Sequence, residues 1–202
     1  MLTYILMKTT SFKTIKGSTP ILLSAPHVYS HRRPKLSMAY KIGERFTDSI
    51  VEGVCKEIDS FGIVLVDESD YDFNYHKEES NEYKKEVRKI VEDNEIEYFV
   101  DVHGLKEGNK YDVAIYYPSK FSKSISLSRT VREGLGKGAL RGINIVVLRF
   151  PEGVQESLGE FVASKLRVPS VQIEVARYIR EREDLRDAFV QNLSKVLKHL
   201  VI

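Results

Sequence analysis

The sequence predicts an α/β fold, a three-layer αβα sandwich around a central, mostly parallel or mixed sheet of about seven strands. Two observations carry this: apolar runs of strand length alternate with longer segments of helical period, and no repeat or low-complexity linker interrupts the alternation. In chain order, Leu2–Lys8 and Ile21–Ala25 read as strands, being rich in aliphatic side chains. Tyr40–Ser60 reads as a helix, with Phe46, Ile50, Val54 and Ile58 on one stripe and Cys55 within the same apolar pattern. Ile63–Val66 is a strand, Glu79–Asp93 a helix, and Tyr98–Val102 and Asp112–Tyr117 are strands. Helix Lys123–Glu133, strand Ile143–Leu148, helix Leu158–Leu166 and strand Val171–Val175 follow. The last helix, Arg182–Leu200, repeats Leu185, Phe189, Leu193, Val196 and Leu200 at spacings of three and four, so its apolar stripe can lie on the sheet.

The length of 202 residues suits a single domain over residues 1–202. With 42% hydrophobic residues the chain can bury a core, which excludes intrinsic disorder. Lys and Arg number 31 against 29 Asp and Glu, a net charge of +2 that gives no broad reason to expect nucleic acid or an acidic membrane. The run His31-Arg32-Arg33-Pro34-Lys35 is locally basic and reads as a solvated loop. No apolar stretch approaches the roughly 20 residues that cross a bilayer, and Met1–Met7 lacks the features of a secretion signal, so a cytoplasmic protein is expected. A single cysteine forms no internal disulfide, and Cys55 reads as a buried structural thiol. Gly134-Leu135-Gly136-Lys137-Gly138-Ala139 has the spacing of a dinucleotide fingerprint but follows a helical pattern instead of a strand, and reads as a flexible loop. There is neither a phosphate-binding loop nor a nucleophile elbow of the G-x-S-x-G type.

The informative positions are ionisable residues at the downstream ends of strands, where open α/β sheets place their binding crevice. Ile21–Ala25 runs through Pro26 into His27, Tyr98–Val100 into Asp101-Val102-His103-Gly104, and Val171–Ile173 into Glu174. Strand alternation turns Asp101 and His103 to one face, so Asp101 can orient His103 and leave its other ring nitrogen for a metal. His27 can reach the same crevice from another strand end, and Glu44 stands near the start of the helix that follows. His27, Glu44 and His103 thus supply two nitrogens and one carboxylate, a set typical of catalytic Zn²⁺ with one position open, and Asp48 is the rival of Glu44. Glu174 stands among apolar neighbours, which should raise its pKa into the range of a general base; the alternative is an ion pair with Arg177 or a nearby Lys.

Ala25-Pro26-His27, Lys41-Ile42-Gly43-Glu44-Arg45-Phe46-Thr47, Asp72-Phe73-Asn74, Asp101-Val102-His103-Gly104 and Gln172-Ile173-Glu174 occur in an order that resembles the N-formylglutamate amidohydrolase-like proteins. These share the zinc carboxypeptidase fold. The resemblance implies that His27, Glu44 and His103 hold zinc, Asp101 orients His103, Glu174 is the catalytic carboxylate and Asn74 lies at the substrate. The family pattern often places Arg directly after the Asn, whereas Tyr75 follows Asn74 here. Arg149, Arg33 or Arg177 could replace that guanidinium, since a planar fork suits a carboxylate.

The expected activity is therefore zinc-dependent hydrolysis of a linear amide, an N-acyl amino acid or small peptide carrying a carboxylate. Zinc would polarise the carbonyl and activate water, with Glu174 moving the proton. A metal-dependent esterase or deacylase, and a non-catalytic binder of small carboxylates or proteins, are the alternatives.

Overall fold

The computed structural model describes residues 11–32, 40–118, 121–151 and 156–201. The expected strand Leu2–Lys8 lies outside these residues. The first elements are β1 (Phe12–Ile15), β2 (Thr19–Ala25), the short strands β3 (His31–Arg32) and β4 (Tyr40–Lys41), and helix α1 (Thr47–Ile58). Next come β5 (Ser60–Leu65), α2 (Glu82–Asp93), β6 (Tyr98–Gly104), β7 (Val113–Tyr117) and α3 (Lys123–Leu135). The remaining elements are β8 (Ile145–Arg149), α4 (Leu158–Phe161), β9 (Ser170–Val175), α5 (Arg177–Glu181) and α6 (Glu183–Lys198).

Seven strands form one mixed sheet in the order β1-β5-β2-β6-β9-β7-β8, while β3 and β4 pair as a separate ribbon. The inner strands β5, β2, β6 and β9 run parallel, so their downstream ends share one edge of the sheet. β1 and β7 run the other way, and β8 follows β7. In β2, Ile21–Ala25 is wholly buried, as expected of an inner strand covered on both faces. On one face α1 and α3 cover the sheet, with α6 packed against both helices. On the other, α4 lies against β6 and β9, and Tyr83 of α2 reaches down to the Ser24 hydroxyl at 3.0 Å. This is the α/β sandwich that the sequence pattern predicts.

Several elements differ from their sequence expectation for local reasons. The first helix begins at Thr47 instead of Tyr40, because Tyr40 and Lys41 pair with β3 and Phe46 takes a left-handed φ of 67° that the helix cannot continue. The helix expected over Leu158–Leu166 is regular only to Phe161, then widens into a π-type turn that ends at Arg167 with φ 62°. Gly134 and Leu135 are not in a flexible loop but are buried in the last turn of α3, and a 3₁₀ turn follows at Gly138–Leu140. Helix α6 packs on α1 and α3 instead of lying on the sheet as expected, with Val190 against Gly53 and Val196 against Gly134. Cys55 is buried with its Sγ 3.4 Å from the Phe61 carbonyl oxygen, and burial pushes the thiol up to about 11, which keeps it protonated. Among the described residues no helix is long and apolar enough to cross a membrane.

The α3–α6 contact has a sharp consequence, since a Cβ added at Gly134 would stand 1.8 Å from Val196 Cγ2. Gly134→Ala should destabilise the protein by about 1–3 kcal/mol despite the better helix propensity of Ala. Adding Val196→Ala should recover most of that loss in urea denaturation. A single variant as stable as the parent contradicts this packing.

Candidate metal centre

At the shared downstream edge of β2 and β6 the chain places two buried imidazoles either side of one carboxylate. His27 follows β2 after Pro26, and His103 stands in β6 two residues after Asp101. Glu44 lies in the turn before α1, not in the helix itself, because Phe46 breaks the chain direction. That turn is pressed onto the segment after β2: Glu44 N donates to His27 O at 2.7 Å, and a Cβ at Gly43 would meet Val28 O at 2.4 Å. Only glycine tolerates so close a backbone approach.

The carboxylate then faces both rings. Glu44 Oε1 is 3.5 Å from His27 Nδ1, and Glu44 Oε2 is 3.2 Å from His103 Nδ1 and accepts from Gly104 N at 2.9 Å. Each ring turns its other nitrogen to a buried aspartate, His27 Nε2 to Asp72 Oδ1 and His103 Nε2 to Asp101 Oδ2, both at 2.8 Å. An aspartate on Nε2 selects the Nε2–H tautomer and leaves the Nδ1 lone pair directed at the centre. His27 Nδ1 is buried without a hydrogen-bond partner, an atom that a cation would satisfy.

The spacing fits a metal as well. One ligand atom from each of His27, Glu44 and His103 lies within 4.8 Å of the other two, close enough for a single ion to reach all three. Asp48 belongs to neither candidate metal group, so of the two acidic alternatives it is Glu44 that meets the imidazoles.

A second group, His27, His31 and Asp72, is also close enough to hold an ion. The rings of His27 and His31 are stacked with centroids 3.8 Å apart and planes 8° from parallel, so no point within bonding reach lies in both ring planes. That geometry serves a metal poorly and instead clamps the His27 ring. His31 was expected in a solvated basic loop, yet it is fully buried, with Nδ1 bonded to the Tyr29 carbonyl at 3.2 Å. Burial and the adjacent His27 push its pKa down to about 4. His31 and Asp72 are the parts of the site that single-residue reading passed over. The spacing His27-x-x-x-His31 and the polar string Asp72-Phe73-Asn74 were the available signals.

Electrostatics follow from the contacts. Burial works to raise the Glu44 pKa, but the His103 and His27 imidazoles overcome it and hold the carboxyl well below its ordinary value. Burial lowers the His103 and His27 values, and their carboxylate neighbours more than reverse this, Asp101 and Glu44 at His103 and Glu44 and Asp72 at His27.

Glu174 stands beside this group, paired in register with His103 and half-buried. Burial raises its pKa, His103 opposes that shift, and Gln172 Nε2 donates to Oε1 at 3.1 Å. It is not paired with Arg177, which binds Glu181 at 2.6 Å and Glu107 at 3.0 Å on an exposed edge. Arg149 does not come near either: β8 runs against β9, so its downstream end points to the opposite edge, and the Tyr117 pairing puts Arg149 on the face away from Glu174. Arg33 lies outside the described residues. Asn74 is buried with Oδ1 accepting from Leu158 N at 2.5 Å, so this oxygen anchors α4.

No protein-family model matches this chain, and no curated protein matches it by sequence. Its fold is shared with solved structures at low identity. The gene product Atu2144 from Agrobacterium tumefaciens aligns over 94% of both chains with a TM-score of 0.65 and 11% identity. The catalytic domain of CwlV, an N-acetylmuramoyl-L-alanine amidase from Bacillus (Paenibacillus) polymyxa var. colistinus, aligns over 89% of this chain and 97% of its own, with a TM-score of 0.55 and 15% identity. The succinylglutamate desuccinylase from Chromobacterium violaceum aligns over 92% of this chain and 64% of its own, at 0.57 and 13%. At such identities the likeness is one of fold.

The carboxylate neighbours raise both imidazole pKa values, so protons compete with a cation for the same ring nitrogens. Their stabilising contribution is complete below the ordinary imidazole value and is lost as pH rises through the folded-state values. A divalent ion must displace protons from the rings, so apparent zinc affinity should go on rising with pH above the ordinary imidazole value of 6.5. Calorimetry in buffers of different ionisation enthalpy should show proton release; an affinity independent of pH contradicts the site.

Proposed function

We propose that this chain is a metal-dependent hydrolase of a linear amide bond in an N-acyl amino acid or small peptide. His27, Glu44 and His103 hold zinc and Glu174 is the general base. The observation that carries this reading is the pair of buried imidazoles, each fixed by an aspartate on Nε2 and turned by Nδ1 to the shared Glu44. The fold shared with an N-acetylmuramoyl-L-alanine amidase and a succinylglutamate desuccinylase supports amide chemistry, as does the motif resemblance to N-formylglutamate amidohydrolase-like proteins. A single cytoplasmic domain fits the same reading.

Zinc held there supplies Lewis acidity, which polarises the scissile carbonyl and acidifies water. The protein's own groups do the rest. Asp72 and Asp101 keep the two rings in the tautomer that offers Nδ1, and His31 stacks on His27 to fix its plane. Gln172 holds Glu174 Oε1, leaving Oε2 to take a proton from the attacking water. As the C–N bond breaks, Glu174 returns that proton to the leaving nitrogen, which departs as an amine. A raised carboxyl pKa suits both halves of this transfer, because the group must accept and then release a proton.

Glu174→Gln should lower kcat by about 10²–10⁴-fold while zinc content stays at the parent level. In the parent, activity should fall with acidification through a limb lying above the ordinary glutamate value of 4.5. Steady-state kinetics beside metal analysis checks both; parent-like kcat in the variant refutes the assignment of the base.

A further inference from the structure

The turn that carries Glu44 is strained at Phe46, whose φ of 67° a residue with a side chain adopts only where its surroundings hold it there. The carbonyls of the turn show what holds it. Thr47 N and Oγ1 donate to Glu44 O at 3.3 and 2.8 Å, and Ile50 N donates to Phe46 O at 3.2 Å as α1 begins. Between them, Arg45 O accepts from Nη1 of Arg180, which lies 135 residues further along the chain in α5.

Arg180 is buried, and its Nε donates to Val175 O at 3.0 Å at the end of β9, so one guanidinium joins that strand end to the Glu44 turn. The same group lies over the last residue of β6. A Cβ added at Gly104 would meet Arg180 Nη2 at 2.9 Å, Arg180 Cζ at 3.0 Å and Glu44 Cβ at 2.9 Å. Arg180 and Glu44 therefore stand side by side on Gly104, whose own N–H donates to Glu44 Oε2 at 2.9 Å. Helix α6 braces the arrangement: Arg186 Nη1 donates to Arg180 O at 2.8 Å, and the Arg186 guanidinium lies 5.0 Å from the centroid of the Phe46 ring.

We infer that Arg180 is a positioning residue of the metal centre: by joining Val175 O to Arg45 O across Gly104, it holds the Glu44 carboxylate between His27 and His103. The inference rests on the reading of His27, Glu44 and His103 as zinc ligands. Arg180 acts on a bound ion through Glu44. Its planar fork serves two carbonyls at a fixed spacing, which the point charge of a lysine ammonium does not reproduce.

Zinc affinity of the full-length protein, read by competition with a chromophoric chelator, tests this without turnover. Arg180→Met should weaken zinc binding by about 100-fold and Arg180→Lys by about 10-fold, the range seen when partners behind metal ligands are lost. In a Glu44→Ala background neither substitution should change the remaining affinity by more than about 2-fold, a coupling that a general loosening of the fold does not produce. Circular dichroism of each variant reports whether it is folded, and if Arg180→Met is not, Arg180→Lys decides. Parent-like zinc affinity in Arg180→Lys overturns the inference, as does an equal loss with and without Glu44. The metal-centre reading is judged separately, by zinc binding in the parent and its loss in His103→Ala. If that reading holds while Arg180 substitutions leave affinity unchanged, the inference alone falls; a parent that takes up no zinc overturns both.

Discussion

One carboxylate sets the geometry of the site. Glu44 faces two buried imidazoles at 3.5 and 3.2 Å while accepting the Gly104 amide, so two separate segments of chain meet on its two oxygens. Nothing in an apolar crevice would hold Glu44 ionised unless it were matched by positive charge, either protons on the rings or a cation between them. Asp72 and Asp101 behind the rings extend the same arrangement outward, giving carboxylate, imidazole, carboxylate, imidazole, carboxylate. Within this cluster His27 Nδ1, His31 Nε2 and Asp101 Oδ1 are buried without a hydrogen-bond partner, and of these His27 Nδ1 is the one that faces Glu44.

The sheet explains why these groups can meet. Four parallel inner strands bring the ends of β2, β6 and β9 to one edge, and the register pairs Ser24 with Asp101 and His103 with Glu174. The strands fix His103 and Glu174 on rigid backbone. Glu44 and Asp72 arrive on connections, tied down by Glu44 N to His27 O and by Asn74 N to Asp72 Oδ1. A centre that combines rigid strand residues with tethered loop residues can be precise while still leaving one side open to substrate.

Much of this was legible in the sequence because polar residues interrupt strands that are otherwise apolar. His27, Asp101, His103 and Glu174 stand out against Val, Ile and Leu, and period-two alternation already puts Asp101 and His103 on one face. What the sequence does not encode locally is strand direction. Arg149 sits just past an apolar run exactly as His27 does, but β7 reverses and carries β8 with it, so Arg149 ends at the opposite edge. Likewise Glu44 continues an apparently helical pattern, and only the left-handed Phe46 turns it back to the imidazoles. His31 was hidden by its basic neighbours Arg32, Arg33 and Lys35, because a two-residue strand leaves too little alternation to reveal a buried face.

The most direct test of the account is zinc X-ray absorption on stoichiometrically loaded protein, beside His103→Ala. The account predicts a four-coordinate centre with two imidazole nitrogens and oxygen ligands at about 2.0 Å, and loss of one imidazole shell in the variant. A six-coordinate, oxygen-only spectrum, or a spectrum unchanged in His103→Ala, would contradict the metal centre on which the proposed chemistry rests.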